Sequence, residues 1–109
     1  MTDTAAQIEA RAGEALQFLA DTDELAAELK TETERALFRY KSHANAHFLA
    51  ISGSVEERKR AAERECEPLY SDYLEAMRKS EGLANQRRSR ALEIEWARSL
   101  YANYRHGKM

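Results

Sequence analysis

Phe48-Leu49-Ala50-Ile51-Ser52-Gly53-Ser54-Val55-Glu56-Glu57 is the stretch that decides the fold. A helical apolar pattern runs into it and stops at Ser52-Gly53, because glycine tolerates the left-handed conformation in which helices end. Ser54 and Glu57 stand at capping-box spacing, so a new helix opens at once. Working backward, Leu25, Leu29, Ala36, Leu37, Tyr40, Ala44, Phe48 and Ile51 recur at helical spacing and predict a helix from about Asp23 to Ile51. Before it, Thr4 and Gln7 have capping-box spacing, and Ile8, Ala12, Ala15, Leu16 and Leu19 make one face. Asp21-Thr22-Asp23-Glu24 offers a fresh cap without forcing a break, so residues 1–22 read either as a peripheral N-terminal helix or as part of the next one. Working forward, Ala61, Ala62 and Cys66 pack in a short helix decorated by Arg58, Lys59, Arg60 and Arg64. Pro68 then marks a kink or the first turn of another helix. Leu69, Tyr73, Ala76, Leu83, Ile94, Ala97, Tyr101 and Tyr104 share a face of this last segment, and Gly82 is the point at which it could divide.

The expected fold is therefore all-α. Long antiparallel helices with a short helix between them form a single domain over residues 1–109. Few breakers (one proline, four glycines) and 33% charged residues agree with helix throughout. About 28 and about 36 residues of helix span ~42 and ~54 Å, more than the roughly 30 Å of a compact domain this size. One hairpin leaves such stripes half covered. A homo-oligomer is expected to complete them, with Leu69, Tyr73, Ile94 and Tyr101 at the interface between copies.

The longest apolar run is Phe48-Leu49-Ala50-Ile51, far short of the ~20 residues a membrane span needs. Met1-Thr2-Asp3-Thr4 has neither the basic patch nor the apolar core of a signal peptide, and Cys66 stands alone. A reducing cytoplasm is the expected location, with no membrane partner. His43 and His47, four apart, could face one metal ion, but no third ligand follows at a familiar spacing, so no metal and no cofactor are expected. Cys66 has no evident base and no pair of acids stands out, so no catalytic residue is assigned and the chain is not expected to be an enzyme.

Charge is uneven along the chain. Residues 1–36 carry nine acids and three bases, whereas residues 77–109 carry eight bases and three acids, within a net charge of −2. That polarity can attract phosphate, or draw copies of the chain together head to tail. Asn85-Gln86-Arg87-Arg88-Ser89-Arg90 is its densest point, and guanidinium forks suit phosphate oxygens. Arg87, Arg88 and Arg90 are the first candidates for nucleic-acid binding, with Arg39, Lys41, Arg58 and Lys59 second. Trp96 is a stacking platform for bases or a packing residue, with packing the expected use. The competing expectation is that the arginines pair with glutamates and the aromatics pack, leaving a structural or adaptor protein that binds only other proteins.

Lys41, Gly53-Ser54-Val55-Glu56-Glu57-Arg58, Tyr70 or Tyr73, Asn85-Gln86-Arg87, Glu93-Ile94-Glu95-Trp96, Arg98 and Ala102-Asn103-Tyr104-Arg105 together resemble small helical proteins of phage recombination modules, similar to the UvsY-type mediators. The likeness covers about residues 41–109. It implies a non-catalytic, oligomeric protein that binds single-stranded DNA and helps load a recombinase against a single-strand binding protein. In a phage-encoded chain the location would be the bacterial host cytoplasm.

Overall fold

The computed structural model describes residues 4–105, apart from the side chain of Tyr104. Three helices take up almost all of it: α1 (Ala5–Ala50), α2 (Val55–Glu65) and α3 (Glu67–Arg105). No strand occurs among the described residues.

The caps read from sequence form as such. Gln7 N–H donates to Thr4 Oγ1 at 3.2 Å while Thr4 N–H donates to Gln7 Oε1 at 2.8 Å, satisfying two donors at the start of α1. Gly53 takes φ 126°, which closes the turn after α1, and Ser54 Oγ accepts from Glu57 N–H at 3.2 Å to open α2. Arg58 fastens this corner: its Nε donates to the Phe48 carbonyl at 3.0 Å and its guanidinium lies 4.2 Å from the Phe48 ring centroid. One of the last carbonyls of α1, an acceptor that helix geometry leaves over, thus receives a charged donor.

Two questions left open by the sequence are answered. Residues 5–22 are not a separate helix, because α1 runs unbroken over 46 residues from Ala5 to Ala50. The would-be caps bond back into the preceding turn: Gln17 Nε2 donates to Asp21 Oδ1 at 2.7 Å, and Thr22 Oγ1 donates to the Phe18 carbonyl at 2.7 Å. Gly82 does not divide α3, since one glycine costs about 1 kcal/mol relative to alanine, too little to break a long packed helix. Pro68 sits in the first turn of α3, where a missing N–H removes no helical bond.

By contacts the chain forms two units, residues 1–26 with 82–109 and residues 27–81. In the first, Ile8, Ala12, Ala15, Leu19, Thr22 and Ala26 of α1 and Leu83, Arg87, Arg90, Ile94, Ala97 and Tyr101 of α3 are covered and step by four and three residues in turn, the spacing of a coiled-coil seam, while Phe18, Glu93 and Leu100 are also half-buried. The two helices of that seam run antiparallel: Tyr101 Oη donates to the Ala5 carbonyl at 3.3 Å, the Arg90 guanidinium lies over the Phe18 ring, and Arg87 meets Leu19 and Thr22. Among the described residues Ile8 is the one large side chain with under 2% exposure, and Ala15 and Ala97 are buried in the same unit. Alanines let helices approach closely but bury little apolar area, so this core is thin.

In the second unit, Leu29, Thr33, Ala36, Tyr40, Ala44 and His47 of α1 and Leu69, Tyr73, Ala76 and Ser80 of α3 are covered, with Ala62 and Cys66 buried at the end of α2. Tyr40 and Tyr70 stack with centroids 5.1 Å apart, and Tyr73 joins them at 6.0 Å. Such tilted pairs add about 0.5–1.5 kcal/mol beyond the area they cover.

Candidate interaction surfaces

The arginine cluster is divided by the helix it lies on. Arg87 occupies a seam position and is 22% exposed. Its Nη1 donates to the Leu19 carbonyl at 2.8 Å and to Thr22 Oγ1 at 2.7 Å, and its Nη2 pairs with Asp23 at 3.3 Å. Arg90, three residues on and half-buried, lies over Phe18 and pairs with Glu93 at 3.2 Å. Arg88 points outward, with Asn85 Oδ1 accepting its Nη1–H at 2.8 Å. Two of the three foremost phosphate candidates therefore spend their donors inside the chain. Of the second group, Arg39 is exposed and paired with Glu32 at 3.0 Å, Arg58 is committed to Phe48, and Lys41 and Lys59 are exposed. The seven residues fall three to the first unit and four to the second.

Charge follows the same logic. In the first unit, residues 4–26 carry five acids and one base, and residues 82–105 carry five bases and two acids. A segment at −4 lies against one at +3. The polarity that could have drawn phosphate or another copy is met within the chain, and the described part of the unit nets −1.

The residues expected between copies lie on the intrachain seams. Ile94 and Tyr101 in the first unit, and Leu69 and Tyr73 in the second, are each half-buried. Ile94 and Tyr101 also line an open groove of about 420 Å³ with Ala12, Ala97, Arg98 and Arg105. Partial burial and the neighbouring Glu9 carboxylate raise the Tyr101 phenol above its usual value, which keeps it a neutral donor.

Large apolar side chains instead crowd the outer faces. Phe38 is 72% exposed, and Leu49 and Val55 also stand open in the second unit. In the first unit Leu16, Leu25, Leu92 and Trp96 do so. Trp96 corrects the expectation that it packs in the core: it precedes the seam residue Ala97 and so turns away from the seam. The Arg11 guanidinium lies 5.9 Å from its ring centroid, and Arg11, Ser89, Leu92, Glu93 and Trp96 line a groove of about 300 Å³. Sequence reasoning passed over Leu92; its signal was its place two residues from both Arg90 and Ile94, off the four-and-three rhythm.

His43 is exposed and His47 is half-buried in the last turn of α1, where a basic group suits the helix terminus. Among the described residues, no group of three His, Cys, Asp or Glu side chains could hold a metal ion. No described helix is long and apolar enough to cross a membrane. Cys66 is buried at the junction of α2 and α3. No family model, curated protein or solved structure was found to match the chain.

Proposed function

We propose that the chain is a non-catalytic helical interaction protein that binds other protein helices, copies of itself first, through the apolar faces its own fold leaves uncovered. The observation that carries this reading is the outward placement of Phe38, Leu49, Leu92 and Trp96 on helices whose seams are built largely of alanine and polar groups. Of these, Leu92 and Trp96 stand four residues apart and line one groove, and exposed apolar patches mark interaction sites.

Sedimentation equilibrium across a range of concentrations tests the reading. Its expected result is a mass above the 12.5 kDa of one chain, rising with concentration. A single 12.5 kDa species throughout would overturn it.

A second reading is that the chain holds single-stranded DNA as a recombination mediator, acting with a recombinase and a single-strand binding protein. The exposed Lys41, Lys59 and Arg88 favour it, together with the resemblance given above. Its signature is binding to oligo-dT that weakens with salt, with a slope of about −0.7 in log affinity for each phosphate neutralised.

A further inference from the structure

We infer that the groove between the start of α1 and the end of α3 is a docking site for an acidic amphipathic helix of a partner protein. The inference goes beyond self-association, since it uses a surface other than the exposed apolar side chains of the outer faces. Ala12 of α1 with Ile94, Ala97 and Ala102 of α3 line this groove of about 420 Å³, within the first unit. Tyr101, Arg98 and Arg105 complete it. Ile94, Arg98, Tyr101 and Arg105 follow one another by four, three and four residues, so the groove runs along α3 for about 16 Å, three helical turns. Its three alanines let another helix approach closely.

Charge selects the occupant. Of the five bases in residues 82–105, Arg87, Arg88 and Arg90 have partners within the chain. Arg98 and Arg105 are exposed, and among the described residues neither has an ion-pair or hydrogen-bond partner. They stand seven residues apart on one face, about 10.5 Å along the axis. Carboxylates seven apart on a partner helix have the same spacing. Such a helix sets two acids against two arginines while its apolar stripe covers the floor, the helix-in-groove mode of recognition. The groove is open along its length, whereas sites for small molecules enclose most of their ligand. A nucleic-acid strand is the poorer occupant, because it carries a charge about every 3.4 Å and would lay roughly five phosphates over this length against two arginines. It would also meet the Glu9 carboxylate, which neighbours the Tyr101 phenol, and Glu95, three residues before Arg98. A helix can turn apolar groups toward those acids.

The probe is a fluorescein-labelled peptide of about 18 residues, long enough to hold a helix. It is built of leucine, alanine and glutamine, with two glutamates seven apart bordering the leucine stripe. Fluorescence anisotropy at low salt reads its binding to the whole chain. Saturable binding is expected, weakened at least about fivefold by Arg98→Glu or by Arg105→Glu. A peptide with lysines in place of the two glutamates is expected to bind the Arg98→Glu, Arg105→Glu double variant better than it binds the native protein. Arg88→Glu makes the same change of net charge outside the groove and is expected to leave binding as it was. Ala102→Trp fills the groove and is expected to abolish it. Circular dichroism confirms that each variant is folded, and should the charge variants fail to fold, Ala102→Trp and Arg88→Glu decide. The inference is overturned by no saturable binding, by an equal loss in Arg88→Glu, or by no gain for the lysine peptide in the folded double variant. Oligo-dT binding that is lost with Arg98 and Arg105, in a protein that does not take the peptide, overturns it in favour of nucleic acid. A 12.5 kDa monomer that takes the peptide overturns self-association and leaves the groove standing, and an oligomer that does not take it does the reverse.

Discussion

Replacing Arg87 by methionine keeps most of the aliphatic stem and removes the guanidinium from the seam. In the native chain that group donates to the Leu19 carbonyl at 2.8 Å and to Thr22 Oγ1 at 2.7 Å. Hydrogen bonds to charged groups contribute about 1.5–3 kcal/mol each when the partners are buried. Here the lower end applies. The side chain is 22% exposed, and Thr22 keeps its own bond to Phe18 when Arg87 is gone. The Asp23 bridge adds under about 0.5 kcal/mol because that carboxylate is 79% exposed. The expected loss is about 2 kcal/mol, a fall in Tm of roughly 10 °C for a domain of this size. Arg90→Met removes a half-exposed pair with Glu93 and the contact over Phe18, and should cost about 1 kcal/mol. Arg88→Met should stay within about 0.5 kcal/mol. Urea and thermal unfolding followed by far-ultraviolet circular dichroism, at one fixed protein concentration, reads the series. Equal stability of the three variants, or a larger loss at Arg88 than at Arg87, would refute the assignment of Arg87 to the seam.

The corner between α1 and α2 should be brittle in a specific way. Gly53→Ala places a Cβ 2.9 Å from Glu57 Oε2 at φ 126°, and is expected to cost about 1–3 kcal/mol. Ser54→Ala removes the cap of α2 and should cost about 1 kcal/mol in the same unfolding assay. Alkaline titration should show a late phase from Tyr101. The Tyr101 phenol is raised, first by partial burial and then by Glu9, so the folded chain holds that proton more tightly than the unfolded one. Its contribution to stability is whole below the unfolded value and is lost as pH climbs through the folded one. Ultraviolet difference titration with and without Glu9→Gln checks this, and an unchanged late phase in the variant would contradict the role of Glu9.

Local rules made most of the fold legible. The caps at Thr4 and Ser54, the stop at Gly53 and the tolerated Pro68 are settled by backbone chemistry within a few residues, which a sequence displays. The continuity of α1 was not legible, because Asp21 and Thr22 serve equally as caps or as residues that bond back one turn. The arginines were harder. Spacing places Arg87 and Arg90 on one helix face, but only the partner helix decides whether that face is a seam or a surface. The clue was present: Leu83, Arg87, Arg90 and Ile94 keep the four-and-three rhythm, whereas Arg88 and Trp96 break it. The acidic first third and basic last third likewise fit an antiparallel pair within one chain, a pairing that a charge count cannot distinguish from attraction to phosphate or to another copy.

Helices that present apolar faces to protein partners and helices that present basic faces to DNA sediment differently. A single sedimentation-velocity run at low salt, with a dye-labelled oligo-dT in the cell, separates the two by following protein and dye absorbance at once. The protein boundary is expected to move as a species heavier than 12.5 kDa while the dye sediments as free oligonucleotide. A 12.5 kDa protein boundary that carries the dye with it would contradict the proposed function.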